Sequence, residues 1–113
     1  MLTLDALKAS GANTAEGLGR CLNNEAFYFR LIGMALDDAG FDKLNAALDA
    51  GDLCTAFEAA HALKGVLGNL ALTPLFAPAS ELTEQLRAGS APDPALREAI
   101  NEQRARLKEL WNS

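Results

Sequence analysis

The sequence predicts an all-α fold, an antiparallel four-helix bundle with short additional N-terminal helices, and three observations carry that expectation. The apolar residues are mostly leucine and alanine, aromatic residues make up only 6% of the chain, and β-branched residues are sparse, so local propensity favours helix over strand. Apolar positions recur at three- and four-residue intervals. Glycines, prolines and capping residues cut those runs into segments of helical length joined by short connections, which suits antiparallel neighbours. With 113 residues, 50% of them hydrophobic, the chain is long enough for one core and too short for two. Residues 1–113 are therefore expected to form a single domain.

The first helix is expected over TLDALKAS, with Thr3 as its cap and Gly11 as its stop. Asn13 and Glu16 in NTAE resemble a capping box and open a second short helix to about Leu22. Asn24 caps a third, in which Phe27, Leu31, Met34 and Ala35 fall at helical spacing. The pattern resumes after Gly40, a stop or kink, and predicts one long interrupted helix to about Ala50. Gly51 and Asp52 suit a left-handed stop followed by an N-cap, so the next helix begins there and runs to about Leu70. Thr73 and Pro74 read as the cap and first-turn proline of a helix ending before Gly89. Pro78 is expected to bend that helix or to delay its start to about Ala79. GSAPDP is a turn. Asp93 and Pro94 then open a last amphipathic helix with Leu96, Ile100, Gln103, Leu107 and Leu110 along one stripe.

A formal net charge of −5 works against any polyanionic partner, so nucleic acid binding is not expected. Cys21 and Cys54 make no disulfide framework and read as free thiols. The start, MLTLDALKAS, lacks the basic flank and apolar run of a signal peptide, and no stretch approaches the ~18 apolar residues of a membrane span. A cytoplasmic protein with no membrane attachment is the expectation. The initial Met1 and a natural-looking end lead to the expectation of a free-standing protein over a piece of a hybrid kinase.

Residues 58 to 69, EAAHALKGVLGN, hold the only histidine in the chain, His61, followed by Lys64, Gly65 and Gly68. At about 100° per residue, Ala56, Ala59, Ala60, Leu63, Val66, Leu67 and Leu70 gather opposite the imidazole and form the core side. Phe57, Glu58, Lys64, Gly65, Gly68 and, near the edge, Cys54 share the side of His61, which faces water. A lone histidine in an apolar helix is ordinarily a packed core residue or an idle surface residue. Here the wheel opposes the first reading and the two glycines oppose the second. Each helical glycine costs about 1 kcal/mol relative to alanine. Gly68 can be explained as part of a helix stop, but Gly65 sits one turn beyond His61 and leaves a dent through which another protein can approach. Phe57 adds an apolar contact on the same surface. Lys64 neighbours His61 on the helix. An isolated lysine is usually just solvated, but this pair suits phosphoryl transfer: a neutral imidazole nitrogen attacks phosphorus while an ammonium attracts the anionic oxygens.

AAHALKGVLGNL resembles the signature of the histidine-containing phosphotransfer (HPt) domains of multistep two-component phosphorelays, in which a histidine, a lysine three later and a glycine four later share one helix. His61, Lys64 and Gly65 match those places. The similarity runs from about Leu4, through NNEAFYFRLIGMAL and AALDAGD, to the end of the chain. The resemblance implies that His61 accepts a phosphoryl group from a receiver-domain phosphoaspartate and passes it to another receiver. Lys64 would steady the phosphoryl oxygens; Gly65, with Gly68, Phe57 and Glu58 around it, would admit the receiver. It implies a monomeric carrier with no ATP site, cofactor or metal of its own, magnesium belonging to the response-regulator receiver domain, and a hybrid histidine kinase as a further partner. Ala71, where many relatives have glycine, and Pro78 depart from the pattern, both away from the histidine face.

Three rivals are weaker. Histidine-kinase dimerisation domains usually place an acidic residue after the histidine, where Ala62 stands, and no glycine-rich nucleotide loop is present. Glu58 and His61 form one Glu-x-x-His element, but a di-iron bundle needs a second histidine. Zinc on Cys54 and His61 fails because seven helical residues separate them by ~10 Å along the axis. A non-catalytic helical adaptor that binds receiver domains or other signalling partners remains, opposed by the joint presence of His61, Lys64 and Gly65.

Overall fold

Short polar side chains set most of the helix starts, and the first are those expected. The computed structural model describes residues 2–113, which form helices and connections without strands. Thr3 Oγ1 accepts the Ala6 N–H at 3.1 Å and opens α1 (Leu4–Ala9). Asn13 Oδ1 accepts the Glu16 N–H at 3.1 Å and opens α2 (Thr14–Arg20). Asn24 Oδ1 does the same for Phe27 at 3.0 Å ahead of α3 (Glu25–Leu36). α2 ends two residues before the expected Leu22, because Leu22 and Asn23 both take left-handed φ angles of 58° and 57° and turn the chain.

The expected long helix from Asn24 to Ala50 is two helices. Residues 37–39 interrupt it, and Gly40 is the first residue of α4 (Gly40–Ala50) rather than a stop. Ala39 holds the cap position of α4 without a side-chain bond, while Asp38 Oδ1 accepts the Gly40 N–H at 2.7 Å and satisfies one free donor of the new helix start. The register of α3 also differs from the expected stripe. Tyr28, Ile32, Ala35 and Leu36 are its buried residues, whereas Phe27 is 44% and Met34 63% exposed. Tyr28 sets that rotation, for its hydroxyl donates to the Leu70 carbonyl at 2.8 Å inside the core.

Gly51, with φ 71°, closes α4, and Asp52 caps α5 (Leu53–Asn69). Leu72 rather than Thr73 occupies the cap position of α6 (Thr73–Arg87), without a side-chain cap bond, and Pro74 falls in the first turn as expected. The late start near Ala79 does not occur. The helix is continuous through Pro78, because proline removes only the bond to the Pro74 carbonyl while Leu75, Ala79 and Leu82 are buried on either side of it. Asp93 Oδ1 accepts the Ala95 N–H at 2.9 Å and opens α7 (Pro94–Asn112), on which Ile100 and Leu107 are buried and Leu96, Gln103 and Leu110 partly so.

Helix α5 packs between α4 and α6, α6 also packs on α7, and α3 lies against α7. The side of α5 turned to those neighbours is short: Ala56, Ala59 and Ala60 are buried beside Leu63 and Leu67. Small residues there let the flanking helices come close. Val66, assigned to the same side, is only half-buried.

Burial pushes the Tyr28 phenol up to about 12, with the nearby Cys21 adding to the shift. The phenol therefore stays a neutral donor in the folded protein. Tyr28→Phe leaves the Leu70 carbonyl without that donor and should cost about 1–3 kcal/mol in denaturant unfolding at neutral pH. Because the folded pKa lies above the ordinary value of 10.0, this stabilisation is complete below pH ~10 and is lost as pH rises through ~12. Unfolding curves of the two proteins should converge over that range; a constant gap would disprove the buried neutral donor.

Candidate functional site

Helix α5 is fixed at its start by Asp52, which accepts both the Thr55 N–H at 3.1 Å and the Thr55 hydroxyl at 2.7 Å. Those two bonds, the hydroxyl's first, hold the Asp52 carboxyl below the usual carboxylate range. Nine residues beyond the cap, His61 is exposed. Among the described residues no hydrogen bond or ion pair engages its imidazole. The ring is nonetheless not isolated. It lies parallel to the Phe57 ring, with centroids 5.7 Å apart and planes at 10°.

His61, Lys64, Gly65 and Gly68 line one open cavity of about 540 Å³. Four of the six residues singled out in the sequence thus meet at one place. Lys64 reaches towards α6, its Nζ 3.8 Å from Glu84 Oε1. Phe57 is half-buried beside the cavity, under the Arg87 guanidinium, whose carbon is 5.3 Å from the ring centroid. Glu58 is exposed and does not line the cavity.

The two glycines have different surroundings. A methyl group added at Gly65 would meet nothing within 4 Å, whereas one at Gly68 would come within 3.0 Å of the Phe76 ring. Gly68 thus seats an α6 side chain; Gly65 has no neighbour to accommodate.

Sequence reasoning missed the far wall of the cavity. Arg20 and Glu16 of α2 line it, along with Phe76 of α6. Arg20 Nη1 donates to the Gly68 carbonyl and Nη2 to Glu16. The pairing of Glu16 with Arg20, four apart on one helix, was readable in the sequence; the reach across to α5 was not. A second, apolar cleft of about 310 Å³, lined by Leu31, Met34 and Val66, meets the first at Asn69. No group of three or more histidine, cysteine, aspartate or glutamate side chains among the described residues is placed to hold a metal ion. No helix among them is long and apolar enough to cross a membrane.

The site thus brings together an exposed imidazole stacked on Phe57, the Lys64 ammonium and the open Gly65 backbone. The family model of the Hpt domain matches residues 34–112, a span that begins near the end of α3 and includes all of α4 to α7. The chain belongs to the Hpt domain family. No curated protein and no solved structure matches it. Hpt domains carry out histidine phosphotransfer in phosphorelays, acting as carriers, and interact with response-regulator receiver domains. In this Hpt domain the matched segment contains His61, Lys64 and Gly65, while Arg20 and Glu16 come from outside it.

The glycine environments predict opposite responses to alanine. Gly65→Ala should raise stability by up to about 1 kcal/mol through helix propensity. Gly68→Ala must displace the Phe76 ring and should be destabilising by thermal unfolding, despite the same propensity gain. Equal stabilisation of both variants would contradict the packing assigned to Gly68.

Proposed function

We propose that His61 is the phosphoacceptor of a multistep two-component phosphorelay, taking a phosphoryl group from a receiver-domain phosphoaspartate and passing it to another receiver. The observation that carries this reading is the exposed His61 imidazole, without a hydrogen bond to any of the described residues, in a cavity it shares with Lys64 and the open Gly65. The unprotonated ring nitrogen donates its lone pair to phosphorus, the bond from phosphorus to the aspartyl oxygen breaks, and the carboxylate leaves with that electron pair. Onward transfer runs the same exchange in reverse on a second receiver. Lys64 steadies the phosphoryl oxygens, its ion pair with Glu84 being exposed enough to exchange.

The receiver approaches over Gly65, with Gly68, Phe57 and Glu58 at the margin and the Met34–Val66 cleft continuing the apolar surface. Magnesium belongs to the receiver. The carrier has no autokinase activity and needs no cofactor of its own, with a hybrid histidine kinase as the source of the phosphoryl group. Residues 1–113 act as one domain, monomeric and cytoplasmic.

Incubation with a panel of phosphorylated receivers tests the reading. Label should appear on the protein in an acid-labile, alkali-stable form and be absent from His61→Gln; label persisting on that variant would sink the assignment. Lys64→Ala should remain folded and slow transfer by about tenfold or more. Gly65→Gln places a side chain within one turn of the ring, so receiver-driven labelling should fall at least about tenfold while phosphoramidate still labels His61. Undiminished receiver transfer in Gly65→Gln would remove the docking role of that position.

A further inference from the structure

We infer that Phe57 is a positioning residue for the acceptor imidazole, an inference that rests on the reading of His61 as the acceptor. An exposed histidine with no hydrogen bond has several staggered side-chain arrangements open to it. Attack on phosphorus requires the nitrogen lone pair in line with the breaking bond, so each unproductive arrangement lowers the rate. The only ring packed on the His61 imidazole among the described residues is that of Phe57, one turn earlier on the same helix face, parallel to within 10° at 5.7 Å. The stack restricts the imidazole plane without engaging either nitrogen. Both nitrogens stay free for chemistry, which a hydrogen-bonding partner would not allow.

A positioning group must itself be held. Phe57 is half-buried and packs against the core cluster. The Arg87 guanidinium carbon also lies over the ring, 5.3 Å from its centroid. Arg87 Nε in turn stands 3.5 Å from Glu84 Oε1, the same oxygen that stands 3.8 Å from Lys64 Nζ. One carboxylate of α6 therefore joins the cation of the phosphoryl site to the support of the acceptor ring. A residue serving only to meet a receiver would need neither the stack nor the cation.

The single histidine makes the test direct, since its ring protons are the only such signals in the proton spectrum. Phe57→Leu keeps apolar bulk and loses the ring; Phe57→Tyr keeps the ring; Arg87→Gln removes the cation from the surface, where folding is not at issue. In Phe57→Leu the His61 ring protons should move towards free-histidine positions. Labelling by phosphoramidate and by a phosphorylated receiver should both slow by about tenfold, less than the ~10²-fold a misplaced group can cost. Phe57→Tyr should restore both rates, and Arg87→Gln should shift the same resonances with a smaller loss of both. Slowing with the receiver alone would make Phe57 a docking contact and overturn the inference, as would unchanged resonances in Arg87→Gln together with unchanged phosphoramidate rates. Should Phe57→Leu fail to fold, the Phe57→Tyr and Arg87→Gln results decide alone. Failure of the wild type to take label from any receiver defeats the phosphorelay reading instead, and leaves the phosphoramidate rates and proton shifts to judge Phe57.

Discussion

The C-terminal end of α5 and the two residues that follow it are tied by hydrogen bonds to the N-terminal third of the chain. Tyr28 donates to Leu70 at 2.8 Å, the Asn13 N–H donates to Ala71 at 3.0 Å, and Arg20 donates to Gly68. The Leu70 carbonyl is buried, and left without the Tyr28 donor it would cost about 1–3 kcal/mol. Gly17 completes the arrangement, since any side chain there would overlap the Tyr28 phenol. These contacts bring α2 beside the C-terminal half of α5. The cavity at His61 follows from that placement, because Arg20 and Glu16 form one wall of it. The matched Hpt segment starts at residue 34, so this wall is built by a part of the chain outside the segment that defines the family.

The charges around the site are balanced but weakly committed. Each cation on the cavity has a carboxylate partner, Glu84 for Lys64 and Glu16 for Arg20. Exposed pairs of this kind are worth about 0–1 kcal/mol. They orient the cations and neutralise them in an acidic chain of net charge −5. Neither pair is strong enough to exclude a more highly charged anion arriving between them. A buried ion pair in the same place would resist exchange, because separating it would leave a desolvated charge.

Local signals made much of this fold legible. Thr3, Asn13, Asn24, Asp52 and Asp93 are all caps in the structure, as their side-chain chemistry predicts. The division of α5 into a buried alanine and leucine side and an exposed histidine side also follows from periodicity alone, Val66 excepted. What escaped depends on contacts distant in sequence. The rotation of α3 was misread because Phe27 and Met34 are as apolar as Ile32, and only the Tyr28 to Leu70 bond decides which side is turned inward. Pro78 was expected to disturb α6 because its local cost is plain, whereas the burial that offsets it comes from other helices. Ala71 shows the converse: it holds a left-handed φ of 54° that glycine would take without strain. The turn geometry that favours glycine is kept without the glycine.

The two glycines after His61 separate what a sequence argument had to treat together. Gly68 lies where the Phe76 ring needs room, and packing is sufficient reason for it. Gly65 faces open space, so nothing inside the protein requires the loss of about 1 kcal/mol of helix propensity. Selection for stability alone would favour alanine there. The proposed docking role supplies a reason from outside the folded chain: a partner that approaches the helix closely at the turn following His61. A small diffusing phosphoryl donor would clear a methyl group with ease. A whole protein surface would not, because its backbone must descend to the imbedded level of the helix to bring its reacting group to the ring. An open glycine one turn from the imidazole is thus the feature on which the proposal of a protein donor, in place of a small one, rests.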